Sequence, residues 1–150
     1  MRKLADHLGL VAVTLWVGGL WAIGYVVAPT LFASLENKIL AGMLAGKLFT
    51  IIAYVGLVCG SYLLLLRLSR FGFGAFRQSA FWLVLAMLLL TVAGHFGIQP
   101  VIETLKAQAF PKEVMRSVVR DRFATWHGIA SGLYLVQSLL GLGLVLKQGK

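Results

Sequence analysis

The sequence predicts an all-α integral membrane protein, a four-helix bundle with a short amphipathic surface helix between the third and fourth helices. Three observations carry this. Apolar residues make up 59% of the 150 and charged residues only 13%, about half the charge with which a soluble domain covers itself. The charges are also segregated. Leu8–Leu35, Leu48–Leu66, Gln78–Ile102 and Phe123–Leu146 contain no Asp, Glu, Lys or Arg over 28, 19, 25 and 24 residues, and about 20 apolar residues at ~1.5 Å rise span a hydrocarbon core of roughly 30 Å. Finally, 14 Lys and Arg against five acids sit at the ends of these stretches, where anionic headgroups are a sufficient partner. No aromatic-interleaved basic patch points to nucleic acid.

The whole chain reads as one membrane domain, with spans at about 8–32, 44–66, 79–102 and 123–146. The first helix is expected from about Leu4 to Phe32. Its apolar run is longer than the 7–15 residues of a signal-peptide core and contains Gly18, Gly19 and Pro29, so it reads as a retained span. Pro29 is placed to bend or end it. Ser34 is a candidate N-cap for a second helix from about Leu35 to Leu68, in which Lys47 can snorkel to the interface. Ser69–Arg77, with Gly72, Gly74, Arg70 and Arg77, reads as a basic turn. The third helix is expected from about Gln78 to Ala107 with a kink at Pro100. After Pro111, a favourable first helical residue, Val114, Met115, Val118 and Val119 share one face and charges the other. That pattern suits a surface helix or a water-side extension of the fourth span, itself expected from about Arg122 to Lys147.

Seven Lys and Arg fall on the side of the termini and seven on the far side. The near-side cations are tightly juxtamembrane, whereas five of the far-side seven spread over the long third connection. This favours cytoplasmic termini in a bacterial inner (plasma) membrane. Gly42/Gly46, Gly56/Gly60 and Gly128/Gly132 each set two glycines on one helical face. Such spacings suit close helix packing, within the bundle or against a homodimer or membrane-protein partner.

With four antiparallel spans, Tyr25, Lys47, His95, Gln99, Glu103, Arg122 and His127 all fall in the half away from the termini. Thr91, His95, Gln99 and Glu103 share one face of the third helix, and His127, Ser131, Tyr134 and Ser138 form a stripe on the fourth. His95 lies about 10 Å before the third stretch ends and His127 four residues into the fourth, so the two imidazoles differ in depth by only about 5 Å. Polar groups at this depth usually face the protein interior. In one reading His95 and His127 meet and hold copper, ligate haem or relay protons. In the other each makes an interhelical hydrogen bond, near Gln99 or Ser131, that fixes the packing. No cofactor follows from spacing alone, because no third ligand joins the pair. Lys47 has Glu103 or Glu36 as candidate partners, and Arg122 has lipid phosphate or Glu103. Cys59 reads as a small hydrophobe. The tryptophans read as interfacial anchors or packing residues.

No nucleophile elbow, phosphate loop, zinc-protease helix motif or paired intramembrane carboxylates are present, and the expected role is non-enzymatic. It is a small membrane binding or accessory protein, with a copper or haem protein and a small transporter as alternatives.

Two groups of motifs carry a family likeness. One is Leu15-Trp16-Val17-Gly18-Gly19 with Val27-Ala28-Pro29-Thr30-Leu31-Phe32 and Ala45-Gly46-Lys47-Leu48-Phe49. The other is Gln99-Pro100-Val101-Ile102 with Arg122-Phe123-Ala124-Thr125-Trp126-His127-Gly128. The chain resembles a bacterial four-span membrane family of unknown function related to the eukaryotic transmembrane-protein-205 group. The resemblance implies functional positions at Trp16, Pro29, Phe49, Pro100, Phe123, His127 and Gly128; His95 matches no motif position. The Leu-Trp-Val-Gly-Gly opening is more distantly similar to CopD copper-resistance proteins and HemJ haem-pathway proteins; the first likeness implies copper handling and the second a redox enzyme.

Overall fold

The computed structural model describes residues 2–109 and 117–148, which fold as four long helices. Helix α1 runs through Arg2–Trp21, a π-helical turn at Ala22–Val27, and Ala28–Ser34. Helix α2 spans Lys38–Phe71 and passes into a 3₁₀ turn at Gly72–Arg77. Helix α3 comprises Ser79–Val92, a second π-helical turn at Ala93–Ile98, and Gln99–Ala109. Helix α4 spans Ser117–Gln148. All four are long and apolar enough to cross a membrane, and the protein is a multi-pass membrane helical bundle.

Local chemistry sets the ends. Ser34 does not cap α2; it lies in the last turn of α1. The cap is Asn37, whose Oδ1 accepts from the Ile39 and Leu40 N–H groups at 3.0 and 3.1 Å, because its extended backbone lets the short side chain reach back over the first turn. At the other end Gly72 takes φ 51° and donates its N–H to Leu68 O, a left-handed stop that costs glycine little. The fourth helix begins at Ser117, a turn earlier than Arg122, so residues 117–121 extend it toward water. Pro111–Arg116, most of the expected surface helix, lies outside the described residues.

Neither Pro29 nor Pro100 ends its helix. Each follows a π-helical turn by two residues. Proline removes the N–H that would meet the carbonyl four residues back, at Tyr25 or Phe96, and its ring crowds that carbonyl. The turn carrying the crowded carbonyl is widened, and the helix continues. Both outward-running helices therefore loosen at the same stage of their path.

The helices pack in a ring, α1 on α2, α2 on α3, α3 on α4 and α4 on α1. The dense core sits in the half near the termini: Val13, Trp16 and Val17 of α1, Cys59 and Leu63 of α2, Val84 and Met87 of α3, and Leu144 of α4. Trp16 is fully buried, and Gly56 and Gly60 make the slot for it. A Cβ at Gly56 would lie 2.4 Å from the indole Nε1, and one at Gly60 2.9 Å from Cη2. This pair and Gly42/Gly46 face the bundle, whereas added Cβ atoms at Gly128 and Gly132 would meet nothing within 4 Å. Leu15, Ile51, Val58, Leu65, Leu89 and Leu139 are exposed on the outside, as a lipid-facing surface requires.

At the near-side boundary, Arg70 pairs with Asp6, Arg67 Nη1 donates to Gln78 Oε1 at 2.9 Å, and Lys147 Nζ donates to Ser79 Oγ. Phe71, Phe73, Phe76 and Trp82 are exposed there, and Trp82 Nε1 donates to Phe76 O at 2.8 Å. This aromatic and cationic belt suits the headgroup level.

Candidate functional site: an intramembrane cavity

Where the two π-helical turns loosen the bundle, the core gives way to a cavity of about 510 Å³ in the half away from the termini. Its walls are mainly apolar, with Phe32, Phe49, Ile52, Leu90 and Ile98 among them. Tyr25, Thr91, His95, Gln99, Lys106, His127, Ser131, Tyr134 and Gln137 supply its polar groups.

Tyr134 shapes the wall between α1 and α4. Its hydroxyl donates to Leu20 O at 2.5 Å, and its ring lies so close to Gly24 that a Cβ there would be 2.2 Å from Cε1. Leu20 and Gly24 are the i, i+4 pair that a regular α-helix would join. The phenol engages both members at the start of the π-helical turn, as expected where a side chain intrudes on a helical ladder. Phe49 and Tyr25 pack edge-on against the Tyr134 ring, with centroids at 5.3 and 6.2 Å.

Both histidines line the cavity, each held by an aromatic neighbour. The His95 ring meets Tyr54 of α2 edge-on at 4.9 Å, and the His127 ring stacks on Phe123, one turn back on α4, at 5.8 Å and 10°. Ser131 gives its hydrogen to the His127 main-chain oxygen at 2.9 Å rather than to the ring. Among the described residues no three His, Cys, Asp or Glu side chains converge as a metal-ion ligand set.

At the far end of the cavity, Glu103 pairs with Lys106 at 3.0 Å rather than with Lys47 or Arg122. The i, i+3 spacing on one helix brings that lysine to it without a crossing. Lys106 Nζ also reaches Gly42 O at 3.4 Å. Gln99, Glu103 and Lys106 close over Gly46, where a Cβ would lie 3.3 Å from Glu103 Oε1. Lys47 and Arg122 are exposed and lie outside the cavity wall. Of the motif positions, Pro29, Phe49 and Phe123 line the cavity, Trp16 is core, and Pro100 and Gly128 are exposed.

The deepest polar contact escaped sequence reasoning. Gln137 Nε2 donates to Thr91 Oγ1 at 2.7 Å, linking α4 to α3 with both residues buried. A lone glutamine three residues beyond Tyr134 was the available signal. The i+4 step from Tyr134 leads instead to Ser138, whose hydroxyl turns back to Tyr134 O at 2.9 Å.

Fold and site together define a polytopic helical membrane protein with a ligand-sized intramembrane cavity. Residues 11–111 match DUF4149, described as a domain of unknown function, and the chain belongs to that family. The match runs from within α1 through α2 and α3, so Phe123, His127 and Gly128 lie beyond the matched residues. No curated protein and no solved structure matches the chain.

Proposed function

We propose that this is a membrane binding protein whose cavity takes up a lipophilic small molecule from the leaflet away from the termini. The observation that carries the reading is the 510 Å³ cavity itself. Its size and mostly apolar walls with a few convergent polar groups are those of small-molecule sites. A non-catalytic role is supported by the cavity hydroxyls of Thr91, Ser131 and Tyr134, which are spent on main-chain carbonyls rather than on a base.

In the same reading the protein sits in a bacterial inner membrane with cytoplasmic termini, which the tight near-side cations support. The test uses purified full-length protein in nanodiscs titrated with N-phenyl-1-naphthylamine, whose fluorescence rises in apolar surroundings. Saturable binding above that of empty nanodiscs is expected; binding indistinguishable from empty nanodiscs overturns the proposal.

Copper or haem is the second reading, favoured by two imidazoles among the cavity's lining groups and by the CopD-like opening of α1. It predicts stoichiometric metal or a Soret band in gently extracted protein, abolished by His127→Ala. Colourless, metal-free protein that still binds the naphthylamine removes it.

A further inference from the structure

We infer that the ligand of this cavity carries a hydroxyl group that donates a hydrogen bond at the deep end, to Gln137. The inference rests on the proposed binding function and names the chemical class of the occupant, a lipophilic alcohol or phenol. Thr91 Oγ1 donates to Met87 O at 2.9 Å, Ser131 Oγ to His127 O at 2.9 Å and Tyr134 Oη to Leu20 O at 2.5 Å. A hydroxyl has one hydrogen, so all three present only lone pairs to a ligand.

The same accounting fixes the Gln137 amide. Because the Thr91 hydrogen is already committed to Met87 O, Thr91 Oγ1 can only accept from Gln137, and the amide must turn its NH₂ toward it. Among the described residues the carbonyl Oε1 then has no hydrogen-bond donor, on a residue that lines the cavity and is only 7% exposed. Oε1 is not fully buried, so a donor on a bound molecule can reach it. The deep wall therefore offers acceptors from both α3 and α4, close to the middle of their charge-free stretches, with the second hydrogen of Gln137 Nε2 as a donor beside them.

Charge narrows the class further. The donor is a neutral hydroxyl rather than an ammonium, because among the described residues no carboxylate lines the cavity and Glu103, beside the lining Lys106, is paired with it. An ammonium at the deep end would be buried without a counter-charge. An ether or ketone of the same shape can at most accept the second Nε2 hydrogen and leaves Oε1 unmet.

The test compares 4-octylphenol with its methyl ether, 4-octylanisole, on the full chain in nanodiscs, with empty nanodiscs as the blank. The phenol is expected to bind about tenfold more tightly, the order of one net hydrogen bond. In Gln137→Leu the ratio is expected to fall close to one while both compounds still bind. Equal affinities in the unsubstituted protein overturn the hydroxyl inference and leave the binding function standing. Saturable binding of neither compound overturns both. A tenfold preference that survives in Gln137→Leu overturns Gln137 as the acceptor. The first comparison requires no variant to fold.

Discussion

The hydroxyl of Tyr134 on α4 and the main-chain oxygen of Leu20 on α1 are joined by a hydrogen bond across 114 residues of sequence. This bond ties the last helix to the first where the first widens into its π-helical turn, so the cavity wall and the helix irregularity are one structural event. Tyr134→Phe is expected to lower stability by about 1 kcal/mol, the scale of interhelical hydrogen bonds in membranes. Gly24→Ala is expected to cost more, because its Cβ would overlap the phenol ring. In a Tyr134→Ala background the Gly24→Ala penalty should largely vanish, as a coupled pair requires. Unfolding by SDS titration in bicelles measures all four corners of the cycle.

The glycine pairs make a second comparison. Gly56→Ala and Gly60→Ala each press a methyl onto Trp16 and should destabilise by about 1–3 kcal/mol, as overpacking of a dense core does. Gly128→Ala adds a methyl in open space and should stay within about 0.5 kcal/mol. Thermal unfolding ranks them, and equal penalties at Gly56 and Gly128 would contradict the packing of Trp16.

Much of this architecture was legible in the sequence, and the reason is physical. Charge is so costly in hydrocarbon that charge-free stretches mark the spans directly, and α1 to α4 follow them. The clustering of polar residues in one half was equally readable from span direction. The contacts were not. Counting helical steps cannot show that Ser131 and Ser138 turn their hydroxyls back onto their own helix, as serines in apolar helices do. Nor can it show that Gln137 crosses to Thr91. Pro29 and Pro100 were visible as disturbances, but a kink, a stop and a π-helical turn all satisfy the same missing N–H. The three glycine pairs looked alike in sequence; only Gly42/Gly46 and Gly56/Gly60 have neighbours inside the bundle.

Membrane orientation is open to direct labelling, helped by Cys59 being the only cysteine and buried. In a Cys59→Ala background, Glu36→Cys sits in the turn between α1 and α2, and Phe73→Cys in the 3₁₀ turn between α2 and α3. Position 73 is 92% exposed. With cytoplasmic termini, a membrane-impermeant maleimide added to intact cells should modify position 36 and spare position 73 until the cells are lysed. The reverse pattern would place the cavity on the cytoplasmic side and redirect the search for its ligand to the inner leaflet.

Filling the cavity from within one turn separates binding from backbone effects. Gly94 and Gly97 belong to the same π-helical turn, Ala93–Ile98, and a Cβ at either would meet nothing within 4 Å. They differ in what they face: Gly94 lines the cavity and Gly97 does not. Both substitutions remove a glycine's conformational freedom from the same stretch of helix, so their shared effects on folding should match. Gly94→Leu should fill part of the space a ligand needs and weaken N-phenyl-1-naphthylamine binding at least tenfold, about 1.4 kcal/mol. It should also leave thermal stability unchanged or raised, because a side chain now occupies space that otherwise lacks packing partners. Gly97→Leu should bind the probe like the unsubstituted protein. If both variants lose binding equally, the turn's flexibility rather than the cavity volume governs uptake; if neither does, the probe is bound somewhere other than between these helices.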